Sequence, residues 1–209
     1  MKHVESIWLK WAKQLAALSQ NGLTYGQNPY DIERYEKVRE IAAEMMSAQS
    51  DLSTQEVLTI LTREEGYATP KVDVRGVVFR DGKILLVQER SDGGWTLPGG
   101  WADPGQSPSE SVVREIFEES GYETQARRLL AVYDRSKHPH TPPAPFHIYK
   151  LFFLCEIMGG SSQTSYETTA VDFFAENEIP PLSVSRILPF QIARMFEHHR
   201  NPDLPIYFD

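Results

Sequence analysis

The chain has 209 residues, 41% hydrophobic and 24% charged, enough for one large domain or two small ones with a sizeable core. A formal net charge of −8, with no cluster of lysine and arginine, argues against a phosphate-hugging nucleic-acid binder, which needs a basic patch. The single cysteine, Cys155, excludes an internal disulfide, no run reaches the roughly 18 apolar residues of a membrane span, and the N-terminus lacks an apolar secretory core, so the chain reads as cytoplasmic.

Val4, Ile7, Trp8, Trp11, Leu15 and Leu18 recur at spacings of three and four, which predicts a first amphipathic helix with its tryptophans on the core stripe. Asn21-Gly22 is the expected stop. A second helix is predicted after Asn28-Pro29, with Ile32, Tyr35, Val38, Ala42 and Met45 on one side. Ser53 and Glu56 have capping-box spacing and open a third helix through Leu61, ending near Gly66. Residues 1–66 thus read as a helical N-terminal domain and 70–209 as a second domain. Three short helices bury little surface alone, so the first domain is expected to support a homodimer.

From Val72 the pattern changes. Val72–Phe79 and Ile84–Gln88 flank Arg80-Asp81-Gly82-Lys83, a two-residue hairpin signal. After the breaks at Gly93-Gly94 and Pro98-Gly99-Gly100, Ser107-Pro108-Ser109-Glu110 supplies a cap, a first-turn proline and a capping-box glutamate. The helix it opens is predicted to reach Ser120 and stop at Gly121. Strands are expected over Ala126–Tyr133, Ile148–Ile157 and Thr169–Phe174, and a last helix over Ser185–His198 with Ile187, Ile192 and Met195 inward. Interleaved strands and helices make an α/β or α+β fold behind a helical appendage. Cys155, inside LFFLCEI, reads as a packing residue.

The helix after the Gly-Gly turn carries the chemistry. Glu115, Glu118 and Glu119 stand at offsets of three and four, which places their Cβ atoms on one face, roughly 5–6 Å apart. Like charges so close repel unless neutralised, and a divalent cation that prefers hard oxygen ligands does so. Mg²⁺ or Mn²⁺ suits such a set when phosphate and water complete the sphere. Arg114 stands ready to fork a carboxylate, and the turn at Gly99 or Gly100 brings a backbone carbonyl to the same metal.

The stretch from Gly100 to Tyr122, GWADPGQSPSESVVREIFEESGY, resembles the box of the Nudix hydrolases. Gly100, Arg114, Glu115, Glu118, Glu119 and Gly121 match it by identity and Ile116 supplies its apolar position. At common residue frequencies the chance of six such matches at a given start is on the order of 10⁻⁷. Two positions depart from it: Gln106 stands where the box has an acidic residue, and Tyr122 where it has an aliphatic one. NGLTYGQNPYDIERYEKVREIA, GYATPKVDVRGVVF and WTLPGGWADPG are similar to a bacterial subgroup with a helical N-terminal extension, described as CDP-choline or ADP-ribose pyrophosphatases.

The resemblance implies a mixed sheet sandwiched between helices, and hydrolysis of a nucleoside diphosphate conjugate with water attacking phosphorus. It puts CDP-choline, cleaved to CMP and phosphocholine, slightly ahead of ADP-ribose. House-cleaning of nucleoside triphosphates is a second enzymatic reading, and a non-catalytic nucleotide sensor is the reading from another class. Metal is assigned to Glu115, Glu118, Glu119 and Gly100, with Arg114 in the catalytic set. Family members also bring a later carboxylate as base or ligand; Glu167 is the expected one, with Glu156 behind it. Substrate contacts are expected from Arg75, from Trp95 as a base platform, and from Arg135, Lys137 and His138 in the Asp134–His147 loop.

Overall fold

The computed structural model describes residues 6–209, so Lys2 and Val4 lie outside the described residues. The chain divides into two compact units. One runs to Lys71 and includes Ser136–His147; the other comprises Val72–Arg135 and Ile148–Asp209.

The helical unit contains α1 (Ile7–Tyr25), α2 (Pro29–Ser47) and α3 (Thr54–Thr62). Asn28 caps α2 through Tyr30 N–H, with proline at the first helical position, and Ser53 and Glu56 close a reciprocal capping box on α3. The core of this unit is built from small residues: Ala12, Ala16, Ala42 and Ala43 are buried together with Leu9, Met46, Val57 and Leu61. Alanine faces let two helices approach closely, and this reverses the orientation read from the bulky stripe. Trp8 and Trp11 are 58% and 45% exposed and meet edge to face outside the core, with Ile7 and Leu18 also exposed. The expected stop at Asn21-Gly22 is overrun as well. Gly22 stays helical because the Tyr35 ring lies where its Cβ would be, and Asn21 accepts the Ala68 N–H. Gly22 is thus a contact glycine, not a terminator.

The second unit is built on β1 (Lys71–Arg80), β2 (Lys83–Glu89), β3 (Trp95–Thr96), β4 (Tyr122–Asp134), β5 (Ile148–Gly160), β6 (Thr168–Phe174) and β7 (Tyr207–Phe208), with α4 (Pro108–Ser120) and α5 (Pro189–Arg200). The strand order is β3-β2-β1-β5-β4-β7, and β6 pairs with β2. Asp81 and Gly82 both take positive φ in the β1–β2 turn, as a two-residue hairpin demands. Strand alternation sorts the core into two layers. Val74, Val78, Leu85, Cys155, Val112, Ile116 and Tyr122 form the layer that includes α4. Val77, Ile84, Leu86, Phe152, Ile192, Met195 and Phe196 form the layer that includes α5. The fold is the expected mixed sheet between helices, preceded by a helical region. The short β3 and β7 carry too few residues to show a period, and α5 begins at Pro189, four residues after Ser185.

Candidate active site

Three local features mount α4. Ser107 and Glu110 close its capping box, Gly121 terminates it in the left-handed region at φ +76°, and Gly76 on β1 leaves room for Ile116 to press onto the backbone. This presents Glu115 and Glu119 to the Pro98–Gly100 turn.

Glu119 is 5% exposed. Its Oε2 accepts the Gly99 N–H at 2.8 Å, and its backbone carbonyl accepts the Thr168 hydroxyl at 2.9 Å. Burial pushes its carboxyl up to about 7, against the opposing pull of Arg75 and the Gly99 hydrogen bond; the nearby charges of Glu115 and Glu89 add to the rise. Glu115 lies so close to the turn that a Cβ on Gly100 would stand 2.9 Å from its Oε2, and burial raises its carboxyl as well. Glu118 is half exposed. Arg114 binds Glu115 at 2.8 Å, Glu118 at 2.6 Å and Asp103 at 3.0 Å. Gln106 is tied into the same network, accepting from Arg114 Nε and Ser111 Oγ at 3.2 Å each. At this position the uncharged amide latches the loop to the helix.

Gly99 has φ +142°, and a Cβ there would collide with the Val74 carbonyl. Gly99→Ala is therefore expected to destabilise the protein by about 1–3 kcal/mol through strain and overpacking. At this chain length the midpoint should fall by roughly 2–12 °C in a thermal melt. An unchanged melt would contradict the tight turn.

Arg75 is not placed as a phosphate contact. It is 1% exposed, forks both Asp73 oxygens at 2.9 and 2.7 Å, and gives its third donor to the Leu97 carbonyl. A guanidinium so committed acts on Glu119 through its charge, favouring the ionised carboxylate. Asp73 also accepts from the buried Lys150 at 2.7 Å. Burial alone would raise the Asp73 carboxyl, but the two cations outweigh it and hold it well below the usual carboxylate range. Lys150 is pushed down to about 7 by the same burial.

Glu167 is exposed at the entrance to β6, within charge range of Glu89. Glu156 faces solvent and pairs with Arg127 at 2.6 Å. Trp95 packs edge-on against Phe174 and bonds along the Pro181–Ser183 backbone. Arg135 donates to the Ser185 carbonyl at 3.2 Å, whereas Lys137 and His138 belong to the helical unit. Cys155 is buried, its thiol pushed up to about 12, and serves packing.

Sequence reading missed Asp73, Lys150, Glu89, Arg186 and Thr168. A signal existed for three of them: a charge inside an apolar strand, at the parity of buried neighbours, needs a buried partner. Glu89 is 3% exposed, and Arg186 Nε lies 2.8 Å from its Oε1, close enough for an ion pair but not aligned as a hydrogen bond.

A family profile described as "NUDIX domain" matches residues 69–191. The chain belongs to the Nudix family. A second profile, described as a UDP-X-like N-terminal oligomerisation domain, matches residues 6–61 ahead of the Nudix domain. Over all 209 residues, and the whole of the relative, the chain is 46% identical to the Bacillus subtilis (strain 168) protein named "Putative ADP-ribose pyrophosphatase YjhB". A crystal structure of a UDP-X diphosphatase matches with TM-score 0.63 and 35% identity over the whole of both chains. An ADP-ribose pyrophosphatase from Streptococcus suis 89-1591 matches with TM-score 0.61 and 40% identity, covering 68% of this chain and all of that one. This Nudix protein is accordingly an enzyme, a hydrolase of the Nudix pyrophosphatase kind. No helix among the described residues is long and apolar enough to cross a membrane.

Proposed function

We propose that this Nudix hydrolase cleaves the pyrophosphate of ADP-ribose or a closely similar nucleoside diphosphate conjugate, using a divalent cation at α4. The observation that carries the reading is the pair of carboxylates, half-buried Glu115 and buried Glu119, set against the Gly99–Gly100 turn. Relatives named for ADP-ribose and UDP-X move the preference away from CDP-choline, which drops to an alternative beside triphosphate hydrolysis.

The donor set fits a hard cation. It consists of oxygens alone, and burial without a full countercharge lifts both carboxyls, so a divalent ion would restore their ionised form. Among the described residues no three histidine, cysteine or acidic side chains already form a metal-ready group. Arg114 engages Glu115 and Glu118 instead. The residues that would hold Mg²⁺ or Mn²⁺ are Glu115, Glu118 and Glu119 with the Gly100 carbonyl, which accepts one hydrogen bond from Val74 N–H at 2.8 Å and keeps a second lone pair. When bound, the ion neutralises phosphate oxygens and makes water a better nucleophile. The protein's own part is positioning: Gly99 N–H aims Glu119, Arg114 orders Glu115 and Glu118, and Glu167 is the proposed base for the attacking water.

The purified protein with Mg²⁺ should release AMP from ADP-ribose faster than CMP from CDP-choline. In ¹⁸O-water the label marks the phosphorus attacked. Release of inorganic pyrophosphate from triphosphates as the dominant reaction would favour the house-cleaning alternative.

The exposed Trp8–Trp11 face, in the segment matching an oligomerisation profile, supports a homodimer through α1. Trp8→Ala/Trp11→Ala should convert a dimer into a monomer in sedimentation at micromolar concentration. A wild-type monomer at that concentration would end this reading.

A further inference from the structure

We infer that Arg186, held from behind by Glu89, grips the diphosphate of the substrate; the inference rests on the reading of that substrate as a nucleoside diphosphate conjugate. Three arginines exert their charge on Glu89, Glu115 and Glu119: Arg75, Arg114 and Arg186. Two are fully engaged. Arg75 spends Nε and one Nη on Asp73 and its remaining nitrogen on Leu97, and Arg114 serves Glu115, Glu118, Asp103 and Gln106. Arg186 differs. Its Nε faces Glu89, its side chain is 34% exposed, and its two Nη groups meet no hydrogen-bond acceptor among the described residues.

The segment that carries Arg186 is tied down independently of that ion pair. Trp95 N–H donates to the Pro181 carbonyl at 3.0 Å, and Ser183 N–H donates to the Trp95 carbonyl at 2.9 Å. The Ser183 hydroxyl donates to Asp92 at 2.7 Å, and Arg186 N–H turns back onto the Ser183 carbonyl at 2.9 Å. The Glu89 pair is therefore not required to hold the loop; its consequence is the orientation of the guanidinium. Glu89 itself lies within charge range of Glu119, which links the Arg186–Glu89 pair to the proposed metal-binding carboxylates. A guanidinium anchored through one nitrogen presents the other two in a plane that matches two phosphate oxygens. The Nε of this pre-oriented cation is answered by Glu89, but its outward Nη groups are not, and an anionic ligand can answer them. The diphosphate is that anion.

Calorimetry with ADP and with inorganic pyrophosphate, each in the presence of Mg²⁺, tests this without turnover of a conjugate. Arg186→Ala should weaken both by about tenfold or more, the usual range for a lost charge-assisted pair. Arg186→Lys guards against misfolding, because an ammonium preserves the pair with Glu89. It should still bind several-fold more weakly, since the planar fork is gone. Arg127→Ala, which removes a surface arginine paired with Glu156, should bind as wild type does. Wild-type affinity in both Arg186 variants would overturn the assignment, and so would a wild-type protein that binds neither probe. Diphosphate binding that depends on Arg186, without hydrolysis of any conjugate, would instead uphold Arg186 and remove the proposed function.

Discussion

Glu119→Gln should lower kcat by about 10²–10³-fold at saturating Mg²⁺ while leaving the protein at least as stable as wild type. Glutamine keeps an oxygen for the Gly99 N–H, so the turn survives. What disappears is a negative charge that burial already disfavours, with the carboxyl pushed up to about 7, and removing such a charge relieves the fold. In the proposed mechanism the same charge would anchor the cation on which phosphoryl chemistry depends, and losses of single charge-stabilising groups in such sites fall in this range. Glu118→Gln should cost less, because Glu118 is 54% exposed and must be ordered before it can serve, whereas Glu119 is already fixed. Steady-state kinetics over a Mg²⁺ titration, with a thermal melt of each variant, decides the matter. Wild-type turnover in Glu119→Gln would remove the proposed metal site.

Asp73→Asn should be the most destabilising of the conservative substitutions, by about 3–5 kcal/mol. Asp73, Arg75 and Lys150 are 6%, 1% and 2% exposed, and among the described residues Asp73 is the only anion that bonds the two cations. Without it the buried Arg75 charge loses its fork partner, and Lys150, already pushed down to about 7, loses the anion that keeps it protonated. A domain stable by only about 5–15 kcal/mol would lose a large share of its margin. Lys150→Met should cost far less, because the bidentate Asp73–Arg75 pair stays closed and Lys150 itself is pushed down to about 7. The pH dependence follows from the directions. Asp73 has a folded pKa below its unfolded one, so its contribution is present above about pH 4 and lost as pH falls toward the folded value. Lys150 is depressed, so the folded protein sheds that proton first, and between about pH 7 and pH 10 rising pH favours the fold through this group. Urea midpoints for the two variants at neutral pH, and for wild type between about pH 3 and 5 and between about pH 7 and 10, measure these effects. Equal midpoints for Asp73→Asn and wild type would show that the triad is not closed in solution.

Much of the fold and of the site can be read in the chain wherever the cause is local. Ser53 and Ser107 announce α3 and α4 because a cap and its glutamate lie within one turn of each other. Asp81-Gly82 announces the hairpin because only certain residues accept positive φ. The first helix shows where local reading fails. Spacing identified an apolar stripe on α1 correctly as apolar but could not say what lies opposite it. The alanines of α1 and α2 pack together and leave the tryptophans outside.

The sequence by itself determined that one helix carries Glu115, Glu118 and Glu119 on one face behind a glycine turn, and hence the family and its phosphate chemistry, since helical offsets are a property of adjacent residues. Only the tertiary structure decided which charges reinforce that face. Lys150 meets Asp73 across 77 residues of chain, Thr168 meets Glu119 across 49, and Arg186 meets Glu89 from a different loop. These meetings depend on strand order and on the close approach of α4 to β1 at Gly76. No periodicity along the chain encodes them, because a buried charge is compensated by whatever the fold brings beside it.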